Sequence, residues 1–224
     1  MKLKQKGLFF IVFIISLLIP ATTTVYGKKI TTSEFIMNNQ ATITGFDEAL
    51  KAVKPKNIVL AKTVKGKLDE KDNLLLISMG ETNFPACYEI YSFANSEAGK
   101  LQIEVLSMGD MMGFTKTIMF PLIKVYDKDY NEINPVVLKY ETRSPTAFNP
   151  FHVYCLWEIE LNQAGEYYLL IASDNSTETG TGLYVSTGYA MSTQGIIGGL
   201  TAKGLLKGYP VQRSPYGEFR LTLK

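Results

Sequence analysis

The sequence predicts an all-β fold, an antiparallel β-sandwich or jelly roll of about eight to ten strands with one short N-terminal helix. Three observations predict it. Short runs rich in β-branched and aromatic residues recur from Asn57 onward. Turn-forming clusters such as DEKDN, NSEAGK, DKDYNEINP, NQAGE and DNSTETGTG separate them. Almost no helical period lies between the runs, which argues against alternating strands and crossover helices.

The elements follow in order. Residues 1–27 place Lys2, Lys4 and Lys6 before an apolar run from Leu8 to Ile19 and end in Val25-Tyr26-Gly27. This is the layout of an export signal cleaved after about Gly27. The run falls short of the ~20 apolar residues a spanning helix needs, so no membrane association is expected after cleavage. Removing the leader leaves about 197 residues and takes the formal charge from +2 to about −1. That length suits one domain, and that balance offers no footprint for nucleic acid.

Residues 28–44 are polar and show no period, as an arm or linker would. Residues 45–224 form the sandwich domain. In GFDEALKAVKP, Phe46, Leu50 and Val53 recur at helical spacing, Asp47 and Glu48 occupy the first turn, and Pro55 ends the pattern. A helix is therefore expected over about residues 46–53. The strand runs are NIVLAKTV, NLLLISM, CYEIYSF, KLQIEVLSM, TIMFPLIKVYD, PVVLKYE, FHVYCLWEIEL, EYYLLIAS, GLYVSTGY and FRLTLK. In FHVYCLWEIEL, Phe151, Val153, Cys155, Trp157, Ile159 and Leu161 share a core face, and His152, Tyr154, Leu156, Glu158 and Glu160 a mostly wet one. Residues 188–210 are rich in glycine and small side chains, an unusual length for a connection inside a sandwich.

The candidate chemistry is sparse. Asp127, Asp129 and Asn131 are spaced like the opening ligands of a calcium loop. Counting from Asp127, however, the sixth and twelfth places hold Glu132 and Leu138 instead of the Gly and Glu an EF-hand requires. A turn is the reading adopted, since Asp and Asn bond nearby backbone groups; a looser calcium site would use the same three residues. No other cofactor is expected. His152, the single histidine, is expected on the wet face, with Cys155 pointing the opposite way. This gives no base beside a nucleophile. Cys87 and Cys155 are too far apart in the chain to form a zinc-ligand pair; they stand either as two buried thiols or as one disulfide permitted by export. Glu158 and Glu160 lie ~6–7 Å apart on one strand face, within glycosidase range, but exposed acids on a strand serve solvation. Among 13 Tyr, 12 Phe and one Trp, the surface candidates for stacking on a sugar are Tyr130, Tyr140 and Tyr154. Asn175-Ser176-Thr177 is a glycosylation sequon only in a eukaryotic route, and the Gly spacing in GIIGGL has no phosphate-binding context.

Two resemblances accompany these residues. The order YSF, GKLQIEVLS, FPLIKVYDKDYNEI and IELNQAGEYYLLIAS, over roughly residues 65–187, resembles the jelly-roll modules of secreted proteins, including pre-peptidase C-terminal domains. The leader, the FDEALKAVKP helix, PLIKVYDKDYNEINP, EYYLLIASD, the Gly/Ala-rich stretch and SPYGEFRLTLK are similar in order, over about residues 45–224, to the maltose operon periplasmic protein family (MalM). The chain departs from that family by ending at the last strand, without the proline/alanine linker and tail of longer members. The second resemblance implies a periplasmic, non-enzymatic accessory of maltose or maltodextrin transport, whose partner is a carbohydrate or an envelope protein. The alternative is a generic secreted jelly-roll module that binds glycan, calcium or protein.

Overall fold

The computed structural model describes residues 32–79, 81–109, 116–143, 152–176, 184–185 and 209–224. The expected leader and most of the Gly-rich segment 188–210 lie outside the described residues.

Two helices come first, α1 (Thr32–Asn38) and α2 (Phe46–Ala52). The strands are β1 (Lys56–Asn57), β2 (Thr63–Leu68), β3 (Leu74–Met79), β4 (Thr82–Asn95), β5 (Gly99–Met108), β6 (Lys116–Met119), β7 (Pro121–Asp127), β8 (Glu132–Ile133), β9 (Val136–Arg143), β10 (His152–Leu161), β11 (Gly165–Ser173), β12 (Tyr184–Val185), β13 (Tyr209–Ser214) and β14 (Gly217–Leu223). The all-β class is as expected. The described strands outnumber the expected runs because two runs are split, NIVLAKTV and TIMFPLIKVYD, and because β8 and β13 lie outside the expected runs.

NIVLAKTV is broken at Ala61, whose φ of 60° turns the chain from one sheet to the other. Its two ends stay anchored, Ile58 N–H to the Ser92 carbonyl at 2.9 Å and Ala61 N–H to the Leu223 carbonyl at 2.7 Å. TIMFPLIKVYD is broken at Phe120, just before Pro121, which has no N–H to continue a ladder.

One sheet has the order β1-β4-β11-β7-β8, with β3 paired to the first half of β4. The second has the order β2-β14-β5-β10-β9, and a smaller third sheet joins β12-β13-β6. The pairings are antiparallel except β1 with β4 and β13 with β6. Between the two large sheets lies the main core, with Cys87, Tyr91, Phe93 and Leu169 from the first facing Ile103, Val105, Trp157 and Leu221 from the second.

A second cluster covers the opposite face of the first sheet, where Tyr88, Ile90 and Leu170 pack beneath Ala49, with Phe46 and Leu50 of α2 against them. α2 starts at Gly45, which has no side-chain cap; instead Glu48 reaches back to accept the Thr44 N–H at 2.9 Å. The Tyr88 hydroxyl donates to the Ala49 carbonyl at 3.3 Å, which ties the helix down. Residues 32–44 are a correction to the expected arm. They contain α1, whose Phe35 is buried, and Ile43 bridges to Leu75. The gain from burying these apolar groups outweighs the polar, aperiodic character of the segment.

In β10 the core face is as expected, with Val153, Cys155, Trp157, Ile159 and Leu161 buried. His152 is the exception: expected on the wet face, it is only 6 % exposed. It stands between Met108 and Arg143 in register, with a strand on each side, and neither neighbour is visible from the local alternation.

Candidate functional site

The DKDYN segment is a turn organised by Asp127. Its Oδ1 accepts the backbone N–H groups of Asp129 (2.8 Å) and Asn131 (2.9 Å), and its Oδ2 accepts Asn131 Nδ2 at 2.9 Å. Tyr130 takes a φ of 66°, and its N–H returns to the Asp127 carbonyl at 3.1 Å. Donation by Asn131 and by the two backbone N–H groups holds the Asp127 carboxyl below its ordinary range. The structure therefore joins Asp127 and Asn131 as acceptor and donor, and Asp129 contributes its backbone. Among the described residues, no group of three or more His, Cys, Asp and Glu side chains is placed to hold a metal ion.

The three tyrosines separate. Tyr154 donates to Glu104 Oε2 at 3.1 Å, and the Arg143 guanidinium lies 3.7 Å from its ring centroid, so a cation already covers one face. Tyr140 is paired in register with Cys155 at the edge strand β9. Its ring lies 6.2 Å from both Phe120 and Trp157, its hydroxyl donates to the Pro121 carbonyl at 3.4 Å, and burial raises its pKa. Tyr130 keeps 42 % of its surface exposed and leans on Phe46 (5.7 Å) and Tyr168 (5.9 Å). Tyr140 is exposed to nearly the same extent, 41 %, so Tyr130 and Tyr140 keep open ring surface while the face of Tyr154 is covered by Arg143.

The remaining candidates are engaged elsewhere. Glu158 meets Lys100 at 2.7 Å on the outer face, while Glu160 is exposed. Cys87 and Cys155 are separate buried thiols, and burial pushes Cys87 up to about 12 and Cys155 higher still. Asn175 is 1 % exposed and donates to the Pro85 carbonyl at 2.9 Å, so its amide serves the fold.

Sequence reasoning missed a cleft of about 900 Å3 among the described residues, where β2 and β14 meet β4 and β6. Its floor is Glu89, 8 % exposed, which alternation in β4 places on the same face as Cys87, Tyr91 and Phe93. Leaving a carboxylate unpaired there would cost several kcal/mol. Two donors offset this: Lys56 Nζ reaches Oε1 at 2.5 Å and the Tyr91 hydroxyl reaches Oε2 at 2.5 Å. Lys56 arrives because β1 pairs parallel with β4, in register with Tyr91. Burial, and then donation to Glu89, raises the Tyr91 pKa, so the phenol remains the proton donor.

Gly66 makes room for this arrangement. It lies opposite Phe219, and a Cβ there would sit 2.2 Å from the Phe219 ring and 2.5 Å from the Tyr91 hydroxyl. A carboxylate has about four lone-pair sites; Lys56 and Tyr91 use one on each oxygen, and the others can accept ligand hydroxyls. The signal for Glu89 was present in CYEIYSF, an acid at an inward position of an apolar run. Lys56 and Gly66 gave no such signal, because their roles depend on partners 33 and 153 residues away in sequence (Glu89 and Phe219).

No family model matches the chain, nor does any curated protein. The maltose operon resemblance therefore stands on the order of its motifs alone. Among solved structures, the chain is similar to the pre-peptidase C-terminal domain of collagenase from Bacillus anthracis. The two share 14 % identity over 77 % of this chain and 96 % of that one, with a TM-score of 0.32. The β-sandwich assignment rests on the strands and their pairing.

Proposed function

We propose that the chain is an exported, periplasmic, non-enzymatic protein that assists carbohydrate uptake by binding sugar in the cleft above Glu89. One observation carries this reading: a buried carboxylate, held by a lysine and a tyrosine hydroxyl, forms the floor of a concavity of about 900 Å3. That volume suits a small ligand, and a few placed polar groups among apolar walls suit recognition. Sugar hydroxyls would donate to Glu89, and the half-buried Tyr216 in the lining supplies aromatic surface. Binding is favoured over turnover because Glu89 is already committed to Lys56 and Tyr91, an arrangement that fixes an acceptor. A general acid would need its proton kept on the carboxyl.

Calorimetric titration with maltotriose and a glycan array tests this. The expected result is saturable binding that Glu89→Gln weakens by tenfold or more, about 1.4 kcal/mol, without release of new reducing ends. Hydrolysis of any glycan, or binding indifferent to Glu89→Gln, would overturn the reading.

A further inference from the structure

The face of the first sheet opposite the Glu89 cleft carries a second concavity of about 550 Å3, between the start of α2 and the β7–β8 hairpin. Three rings build its aromatic side. Phe46 stacks on Tyr126 at 3.8 Å, and Tyr130 meets Phe46 edge-on at 5.7 Å. Tyr130 is held there at a φ of 66°, where Gly or Asn costs less than a bulky side chain. What tyrosine adds over them is its ring, and the residue stays exposed.

The rim is acidic. Among the described residues Lys124 is the one cation of the lining, and it meets both carboxylate oxygens of Glu132, at 3.0 and 3.1 Å. Glu48 accepts the Thr44 N–H at 2.9 Å and has Lys51 nearby. Asp47, exposed beside it, is the carboxylate that these pairings leave over among the described residues.

Elsewhere the chain matches a ring and a carboxylate with its own arginine. Arg143 covers Tyr154 at 3.7 Å and meets Glu141 at 2.6 Å, and Arg213 covers Phe120 at 4.3 Å and meets Asp174 at 3.2 Å. One planar guanidinium can stack on a ring and fork onto a carboxylate together. The sequence holds three arginines, and the third, Arg220, lines the Glu89 cleft. None of the three lines the groove at Tyr130, so an arginine that completes this set comes from another chain.

We propose that this groove docks a partner protein, which seats an arginine side chain against the Tyr130 ring and the Asp47 carboxylate. The surplus negative charge of the rim disfavours an acidic partner and favours a basic one. The contact is weak and salt-sensitive, because exposed cation–π and ion-pair contacts each contribute little.

The test titrates the purified protein with a blocked Gly-Ser-Arg-Ser-Gly peptide and with the same peptide carrying citrulline, which keeps the shape of arginine without its charge. Amide shifts in NMR spectra report binding. The arginine peptide saturates and binds about fivefold or more tightly than the citrulline one at low ionic strength. The difference closes toward about 1 M salt, where screening reaches about 3 Å. Tyr130→Asn removes the preference while the melting temperature holds or rises, since Asn suits a left-handed turn position. Asp47→Asn, an exposed change, weakens the arginine peptide by about threefold. Should Tyr130→Asn melt lower, Asp47→Asn decides: weaker arginine binding supports the proposal and unchanged binding overturns it. Equal binding of the two peptides, or no saturation by the arginine peptide, overturns it as well. Displacement of the peptide by maltotriose assigns the groove to sugar and overturns it too.

Discussion

The β4–β11 sheet is buried on both faces, whereas the β5–β10 sheet keeps one face in water. In β11, residues 167–173 are buried except for Tyr168, and in β4 a continuous stretch from Phe84 to Tyr91 is buried. In β5 the pattern from Leu101 to Met108 alternates strictly between buried and half-buried. The difference comes from what lies outside each sheet. α2 lays Ala49, Phe46 and Leu50 over the first, while among the described residues the second carries a layer of paired charges around Tyr154. A sheet with two dry faces reads as a continuous apolar run, and a sheet with one reads as period two.

Four measurements break or sharpen this contrast. The largest effect is expected on the outer face of the first sheet. Leu170→Ala should cost about 2–5 kcal/mol in urea denaturation, and Leu156→Ala on the outer face of the second less than about 1 kcal/mol. Equal losses would mean that α2 does not seal its sheet. Next, Gly66→Ala at the cleft end should cost about 1–3 kcal/mol by forcing the Phe219 ring aside. Phe219→Leu should recover part of that loss in the double variant.

Third, the thiols report on the interior that both sheets share. Cys87 is raised to about 12 by burial. Its protonated form therefore contributes stability that is complete below the ordinary thiol value near ~8.5 and lost as pH rises through the folded value. Denaturation midpoints should fall across that window, with a shallower slope in Cys87→Ala. A thiol reagent at neutral pH should label neither cysteine until the protein unfolds. The smallest effect is at the Asp127 turn. Asp127→Ala should cost about 0.5–1 kcal/mol, given the exposure of the site. Because its carboxyl is depressed in the fold, that contribution is present above the ordinary carboxylate value near ~3.9 and lost as pH falls through the lowered one. A turn equally stable to acid in both forms would show that the three hydrogen bonds contribute nothing.

Much of this contrast was legible in the sequence. FHVYCLWEIEL announced a half-wet strand, EYYLLIAS a strand, and α2 spans Phe46–Ala52, close to the residues its spacing predicted. The site was less legible. Tyr154 reads as a surface aromatic from its position in β10, yet Arg143, which covers it, comes from the neighbouring strand. Tyr140 reads as a strand-end tyrosine, and only its register with Cys155 sets its ring beside Phe120 and Trp157. His152 was misplaced for the same reason: burial at a strand end depends on the flanking strands as well as on parity.

By itself the sequence determined the β class, the face each residue of a regular strand presents, the turn at Asp127 and the helix at Phe46, since all of these follow from contacts within a few residues. Only the tertiary structure decided that Lys56 meets Glu89 and that Gly66 yields space to Phe219. Those pairings are set by which strands lie side by side and in what register. The packing of two whole sheets chooses that register, and no local propensity encodes it.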